Sequence, residues 1–551
     1  MTITERDTDF QLEFPYRKHI IDAIKRTFDY SKRTYDPARK VWLIDKSETV
    51  GVKAFAEQFQ FIWNKPQITP KVDYRTIPGM PKLEVDPMDY LNIEPFPYQK
   101  DGIAAFLKWK RVLCGDGMGS GKSMQSLAAV TIANAFPSLV ICPSSLKYNW
   151  QDEWKKFANI QSIVLKGSIK NTWQNYHTVG RVKVFITNYE SLMKYFVVKM
   201  PKGERFTLKD VEFNENIKIF KSVIVDECHR CKGSNTTQSR LTRGISAFME
   251  YRFWLTGTPI VNTPKDLVPL LSGLGRLKEL GGYTNFMNRY GSKEATDDDL
   301  AELNYKLRTT CFFMREKKDV LKDLPDKTRQ IVHCDIANRK EYEKADQDFR
   351  NYLSENLGDS EEAIDTKMQG AIMVKIGILK RLAAQGKIKD TVEYIRNVNE
   401  SGEKIVIFTW HKDIAKEIQQ AFPTFKIIDG DVDAQVRHHY VTEFQNDPHA
   451  MGIICTIATG GVGYNMTASS IVLFIEMGWS PKDMDQAEDR CHRIGSKNAV
   501  FCPYMIGKDT IDEHIYDIIN AKRKIVKAAF GIKHDIETDI IHDIIKIYKN
   551  K

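Results

Sequence analysis

Asp116-Gly117-Met118-Gly119-Ser120-Gly121-Lys122-Ser123 follows the apolar run Arg111–Cys114 and opens a helical pattern. Glycines at 117, 119 and 121 let backbone N–H groups curl around phosphate oxygens, and the positive end of the following helix adds to the attraction. On this reading Lys122 reaches the β- and γ-phosphates of a nucleoside triphosphate, and the Ser123 hydroxyl holds magnesium. A strict phosphate loop, G-x-x-x-x-G-K-[ST], has glycine where this chain carries Asp116. Taken alone, the stretch therefore also reads as a glycine-rich strand–helix turn.

Further along, Val223-Ile224-Val225 runs into Asp226-Glu227-Cys228-His229, an apolar strand that ends in two carboxylates. Asp226 at a strand tip can hold magnesium, and Glu227 can polarise the attacking water. Acidic pairs after apolar strands also arise by chance, but together with the glycine loop this one completes a nucleoside-triphosphate site. A third element, QAEDRCHRIGS from Gln486 to Ser496, spaces Arg490 and Arg493 for one face of a helix. Arginines brought from a second domain neutralise charge on a transferring phosphoryl group; alone, the segment is equally a solvated helix face. Cys228 and Cys231 flank His229, but no second ligand pair accompanies them, so no structural zinc is expected.

The rest of the chain supplies the frame. Its 551 residues carry 81 Lys+Arg against 72 Asp+Glu, a net charge of +9 that is weak evidence for a polyanionic partner at this length. Hydrophobic residues make up 42%, enough for large cores, which excludes disordered, collagenous and disulfide-scaffold classes. There is no apolar run of membrane-spanning length, no basic, apolar leader in MTITERDTDFQLEF, and nine scattered cysteines, which suits a reducing compartment. A soluble intracellular protein is expected, cytoplasmic or nucleoid-associated in a prokaryote or phage and nuclear in a eukaryote.

Apolar runs at Arg111–Cys114, Ser138–Cys142, Val182–Thr187, Ser222–Val225 and Phe253–Leu255 alternate with helical patterns. A second such series comprises Ile405–Phe408, Phe425–Ile428, Gly452–Cys455 and Ile471–Phe474. Alternation of this kind predicts α/β architecture, two parallel sheets covered by helices. The expected division is a small α+β module over 1–80, a first lobe over 81–324, a second over 325–525 and a helical tail over 526–551. Helical insertions are expected near 264–311 and 339–398, a linker at Leu321–Thr328, and two or three helices in Ile511–Lys551.

Taken together, these motifs resemble the Swi/Snf-like branch of the superfamily-2 helicase-like ATPases over roughly residues 90 to 525. FPYQKDGIAAFL looks like the motif whose glutamine, Gln99, reads adenine. DGMGSGKS is similar to that branch's DEMGLGKT, where an aspartate at 116 is the rule; Asp116 to Ser123, Met118 and Ser120 included, would then surround the nucleotide. VICPSSLKYNWQDEWKKF and ITNYESL resemble DNA-track motifs and place Ser144, Ser145, Trp150, Asn188 and Tyr189 near DNA. LTGTPIVNTPKDL, with Thr256, Gly257, Thr258, Pro259 and Asn262, resembles the coupling motif. MREKKDVLKDLP looks like the linker signature that brings Arg315 and Lys317 towards DNA.

In the second half, KIVIFTWHKDI, IDGDVDAQVRHHYVTEFQ, TIATGGVGYNMTASS and WSP resemble the remaining motifs. They imply DNA contacts at Thr409, Thr456, Gly460, Gly461 and Trp479, and put Gly463 with the nucleotide. Departures from the pattern are Gly117, Ser120, Thr459, Ser480 and Ser496, none of them a reacting group. The resemblance implies two RecA-like lobes closing on ATP and Mg2+, and a monomeric motor on duplex or branched DNA. Two other functions fit the same residues: a motor that displaces proteins from DNA, and a nucleotide-gated DNA clamp without turnover.

Residues 1–80 hold 12 aromatics, and Arg26–Trp42 interleaves Phe28, Tyr30, Tyr35 and Trp42 with five basic residues. Exposed rings there would stack on unpaired bases; buried rings would make an ordinary small core. TYDPARKVWLI resembles the N-terminal module of the annealing-helicase subgroup, which implies forked or branched DNA as the target.

Overall fold

The computed structural model describes the chain except residues 7, 38, 65–72, 202–205, 234–235, 258–263, 293–294, 358–365, 461–462, 529–542 and 549–551. It divides into two compact units, Met1–Thr76 and Ile77–Lys551.

The first unit is a five-stranded sheet with two helices. Its strands are β1 (Thr2–Glu5), β2 (Asp9–Glu13), β3 (Arg33–Asp36), β4 (Val41–Asp45) and β5 (Ile62–Asn64), in the order β3-β4-β2-β1-β5. Helices Lys18–Thr27 and Thr49–Gln58 supply Ile20, Ile24, Val52 and Phe55 to a core with Ile3, Phe10, Leu12, Phe28 and Ile44. Of the four interleaved aromatics, Phe28 belongs to that core, whereas Tyr30 and Tyr35 face outward, and Trp42 is half-buried against Tyr35 at 5.3 Å between ring centroids. Arg33 is not free for a ligand: its guanidinium donates to the carbonyls of Ile24, Lys25 and Phe28 at the end of the first helix.

The second unit contains two parallel sheets. Lobe 1 has β6 (Arg111–Cys114), β7 (Ser138–Cys142), β8 (Ser162–Val164), β9 (Val184–Asn188), β12 (Ser222–Asp226), β13 (Tyr251–Leu255) and β14 (Phe312–Phe313). They lie in the order β14-β6-β13-β12-β7-β9-β8, every pair parallel. A separate hairpin, β10 (Val197–Lys199) with β11 (Glu212–Phe213), decorates this lobe. Lobe 2 runs β15-β20-β19-β16-β18-β17, again all parallel, from β15 (Lys327–Cys334), β16 (Ile405–Thr409), β17 (Lys426–Ile428), β18 (Gly452–Thr456), β19 (Ile471–Phe474) and β20 (Val500–Gly507).

Central strands read as unbroken apolar runs because helices cover both faces. Ser222–Asp226 and Ile405–Thr409 are buried at every position. Helices Leu267–Leu274, Gly282–Tyr290 and Asp297–Thr310 fill the first expected insertion, and Arg339–Leu357, Thr366–Gly386 and Ile388–Glu400 are helical as well. The last long helix, Ile511–Ala528, is continuous, and Ile544, Ile545 and Tyr548 return to the lobe 2 core. The stretch expected as a linker, Leu321–Thr328, already enters β15 at Lys327. Among the described residues no helix is long and apolar enough to cross a membrane, and no group of three or more His, Cys, Asp and Glu side chains could hold a metal on its own. All nine cysteines are free and buried.

Candidate active site

The loop from Gly115 to Gly121 joins β6 to helix Lys122–Ile132. It makes its turn with Gly119 at φ +74° and Gly121, the N-cap, at φ +80°. A methyl group on Gly119 would sit 2.7 Å from Arg493 Cβ, so glycine here serves both the turn and the approach of the second lobe. Lys122 Nζ donates to the carbonyls of Asp116 (2.9 Å) and Gly117 (3.1 Å).

Asp116, which breaks the strict loop pattern, is fully buried and has a specific partner. Its Oδ1 accepts from Arg315 N (3.0 Å) and Nε (3.1 Å), its Oδ2 from Arg315 Nη2, and Gly117 N donates to Arg315 O (3.0 Å). The carboxylate is thus the socket that docks the linker onto the loop. Arg315, expected on DNA, is committed to that socket and to the carbonyl of Tyr98. Gln99 is likewise committed. Its Nε2 donates to Ser120 O in the loop (3.1 Å) and its Oε1 accepts from Phe96 N, the N-cap of its own helix Pro97–Trp109 (3.0 Å), so both ends of the amide are already bonded within the protein.

The two carboxylates stand at the tip of β12. Asp226 Oδ2 accepts from Trp150 Nε1 (2.9 Å), its Oδ1 from Glu227 N (2.9 Å), and its carbonyl from Tyr189 OH (2.5 Å). Burial and the neighbouring Glu227 raise the Asp226 carboxyl above its ordinary range. Glu227 adopts the left-handed conformation, φ +54°, rare for a residue with a side chain. Burial opposes its ionisation, but the hydrogen bond and charge of His229, with Lys122 and Arg490, outweigh burial and hold it low. His229 Nδ1 lies 3.2 Å from both Glu227 Oε2 and Thr256 Oγ1, linking the acidic pair to the coupling motif. The remainder of that motif, Thr258, Pro259 and Asn262, lies outside the described residues.

Lobe 2 contributes Arg490 and Arg493. Arg490 Nε donates to Gln486 O (3.0 Å), while Nη1 and Nη2 are buried with no hydrogen-bond partner among the described residues. Burial, then the charge of Arg493, pulls Arg490 down to about 9. Arg493 Nη1 reaches Tyr464 O (3.4 Å), its Nε is buried without a partner, and burial lowers its pKa too. Glu153 was not expected from the motifs. It is hydrogen-bonded to Ser123 and faces Arg493, and burial pushes its carboxyl up. Its signal was its place three residues after Trp150, on the same face of helix Lys147–Ala158.

Several expected DNA contacts are buried. Trp150 (2% exposed), Tyr189 (1%), Thr409 and Thr456 are core residues, because their strand tips and helix face pack inward. Ser145 and Asn188 are almost covered, Asn188 Nδ2 donating to Glu190 Oε2 (2.7 Å). Lys317 Nζ points to lobe 2, donating to His492 O (2.9 Å) and pairing with Asp489 Oδ2 (2.9 Å). Ser144 and Trp479 remain half-exposed, with Trp479 against Lys380 at 4.2 Å; Gly460 ends the short helix Ile457–Gly460, and Gly461 is outside the described residues. Gly463 packs on the other lobe: a methyl there would overlap Leu146, and its carbonyl accepts from Asn149 Nδ2 (3.2 Å).

The site therefore combines a turned glycine loop, a lysine, two buried guanidinium groups with nitrogens that have no hydrogen-bond partner among the described residues, and carboxylates at a strand tip. This donor set fits a polyphosphate with a divalent cation: the guanidinium nitrogens without partners call for an anion, and Asp226 with the Ser123 hydroxyl can ligate the cation. The SNF2-related domain family matches residues 98–385, and the helicase conserved C-terminal domain matches 386–495. The chain belongs to the SNF2-related family. Its members are helicase-like ATPases, and the matched residues span the strands of both parallel-sheet lobes up to position 495. Two relatives named DNA annealing helicase and endonuclease ZRANB3, from Bos taurus and Homo sapiens, are each 30% identical over 500 residues, 86% of this chain and 44% of theirs. This SNF2-related chain thus spans less than half the length of those relatives. A Caenorhabditis elegans protein, the homolog of SWI/SNF-related matrix-associated actin-dependent regulator of chromatin subfamily A-like protein 1, is 27% identical over 92% of this chain and 73% of its own. The solved Sulfolobus solfataricus SWI2/SNF2 ATPase core in complex with dsDNA is 24% identical, covers 84% of this chain and 96% of that one, and has a TM-score of 0.37.

Proposed function

We propose that the chain is a DNA-stimulated ATPase that translocates on double-stranded or branched DNA, remodelling forks or reannealing strands. The observation that carries the reading is the meeting of Lys122, Asp226 and Glu227 of lobe 1 with the unpartnered guanidinium nitrogens of Arg490 and Arg493 from lobe 2. A site whose positive charge is completed only when both lobes touch makes hydrolysis depend on lobe closure, which is what a motor requires.

In this reading the loop Asp116–Ser123 cradles the triphosphate of ATP, and Lys122 turns from the Asp116 and Gly117 carbonyls to the phosphates. Ser123 and Asp226 hold Mg2+, which supplies charge neutralisation on phosphate oxygens when bound. Trp150 orients Asp226. Glu227, kept ionised beside His229, receives the proton of the attacking water, and Arg490 and Arg493 stabilise charge on the transferring phosphoryl group. Trp410 and Trp479, with Lys380 between them, shape the end of the lobe 2 sheet where duplex would lie. Residues 1–80 form a targeting module whose outward Tyr30 and Tyr35, beside Lys32, Arg39 and Lys40, suit unpaired bases at a fork. The names of the relatives, annealing helicases among them, favour strand reannealing over protein displacement or a clamp without turnover.

The test is steady-state phosphate release with single-stranded, duplex, forked and four-way DNA, for the wild type and Lys122→Ala. Stimulation by duplex and forked DNA, abolished in Lys122→Ala, is expected. A Lys122→Ala protein that turns over ATP at the wild-type rate would refute the assignment.

A further inference from the structure

The segment between the lobes does more than join them. Residues 315–317 lie along the phosphate loop: Arg315 N donates to Asp116 Oδ1, Gly117 N donates to Arg315 O, and a methyl on Gly117 would sit 3.3 Å from Lys317 N. From this docked backbone the Lys317 side chain crosses to lobe 2, where its Nζ meets His492 O and Asp489 Oδ2, both at 2.9 Å. Asp489 immediately precedes Arg490, and His492 immediately precedes Arg493. Lys317 therefore grips both arginines' neighbours in the chain while its own backbone lies against the loop.

Other cations also brace this segment, but from lobe 2 itself. Lys327 pairs with Glu488 (2.8 Å) and Asp489 (2.9 Å), Arg329 with Glu488 (2.6 Å) and Asp485 (2.9 Å), and Arg523 with Asp485 (2.9 Å). These contacts hold the segment to its own sheet and helix. Among these braces Lys317 is the cation whose backbone lies on the phosphate loop. A lysine that grips DNA keeps its ammonium at the surface, whereas the Lys317 side chain is only 15% exposed. Its neighbour Lys318 is 76% exposed and pairs with Glu316.

We infer that Lys317 is a positioning residue for ATP hydrolysis, holding Arg490 and Arg493 in register with the phosphate loop, and is not a DNA contact. The inference rests on the ATPase reading above. Its physical basis is that transition-state stabilisation is lost steeply when a charged group is displaced by an ångström, while binding of the nucleotide, made mostly by the loop, is not.

The test uses the full chain, with ATP and duplex DNA each titrated. Lys317→Ala is expected to lower kcat by about 10- to 100-fold with the KM for ATP and the half-stimulating DNA concentration unchanged within about twofold. Lys317→Arg, which keeps a cation of similar reach, is expected to recover most of the rate, and Lys318→Ala to match the wild type. Lys317→Ala combined with Arg493→Ala is expected to lose less than the product of the two single losses, since part of the Lys317 loss runs through Arg493. Should Lys317→Ala fail to fold, Lys317→Met keeps the stem and removes the charge, and carries the same expectations. A kcat unchanged at saturating DNA with a raised half-stimulating DNA concentration would overturn the inference in favour of a DNA contact. Losses that multiply in the double variant, or no recovery in Lys317→Arg, would overturn it as well. If instead the wild type releases no phosphate, or Lys122→Ala is fully active, the ATPase reading itself fails and this inference falls with it, an outcome distinct from the three above.

Discussion

One short segment of lobe 2 has two halves with opposite electrostatics. Asp485, Glu488 and Asp489 are each matched by cations: Lys327, Arg329, Arg523 and Lys317 surround them, and Tyr504 OH adds a hydrogen bond to Glu488 Oε1 at 2.7 Å. One residue later the balance reverses. Among the described residues Arg490 has no partner for either terminal nitrogen and Arg493 none for its Nε, and burial disfavours the charge of both. A buried ion pair that is fully matched braces a structure; a buried cation left unmatched is a defect unless something anionic arrives. In the proposed function the acidic half holds the basic half still, and the basic half receives a phosphate.

Removing one charge from each half separates these roles. Arg490→Met keeps most of the volume and removes the unmatched charge. ATP turnover is expected to fall by about 10³-fold, with the thermal midpoint of the protein unchanged or raised. Glu488→Gln does the reverse: it removes the buried carboxylate that Lys327 and Arg329 share, leaving them Asp489 and Asp485 alone, and a loss of about 3 kcal/mol of stability is expected, read as a lowered melting midpoint. If Arg490→Met destabilised the protein as strongly as Glu488→Gln, the two halves would be equivalent and the contrast would be wrong.

Much of this frame is legible in the sequence, for identifiable reasons. Runs such as Arg111–Cys114, Ser138–Cys142 and Ile471–Phe474 coincide with strands because a central parallel strand is apolar on both faces. In the two large sheets the strands that escape are Ser162–Val164, Phe312–Phe313, Lys327–Cys334 and Val500–Gly507. KTRQIVHC opens with four polar or charged residues, of which Lys327 and Arg329 are drawn to carboxylates, and its first two residues fall in the stretch read as a linker; Pro503 hides its neighbour. The groups proposed to react, Lys122, Asp226, Glu227, Arg490 and Arg493, were legible as residue types at particular places. What linear spacing does not contain is which way a side chain turns. Trp150, Tyr189, Arg315 and Lys317 look like surface residues beside a DNA track, yet each is spent on the nucleotide site's own scaffold. One clue was available: a buried aspartate at 116 in place of glycine demands a cation, and Arg315 is that cation.

The scaffold can be tested where it touches chemistry most lightly. Trp150 donates one hydrogen bond to Asp226 and is otherwise a core side chain. Trp150→Phe keeps a buried aromatic ring and deletes the donor, leaving an Asp226 oxygen free to drift. The magnesium concentration for half-maximal ATP turnover is expected to rise about tenfold, the usual effect of losing a group that orients a metal ligand. Rates at saturating magnesium should be close to wild type. An unchanged magnesium requirement would show that the indole is packing alone.

The smallest effect expected concerns pH, and it sets activity against stability. Burial pulls Lys317 down to about 8; Asp489 opposes the shift, while Lys327 and Arg493 reinforce it. The ordinary lysine value is 10.5, so between about 8 and 10.5 the unfolded chain holds a proton at this residue that the native protein has released. Stability from this group therefore rises with pH across that window. Turnover should move the other way, since the ion pair to Asp489 exists only while Lys317 is charged. A neutral amine can still donate to His492 O, which limits the loss in kcat to about threefold as pH climbs past about 8. Lys317→Arg stays charged throughout and should lack this alkaline limb. If the limb persisted unchanged in Lys317→Arg, its source would be another group, and the brace between the loop and the arginines would have no part in the pH profile.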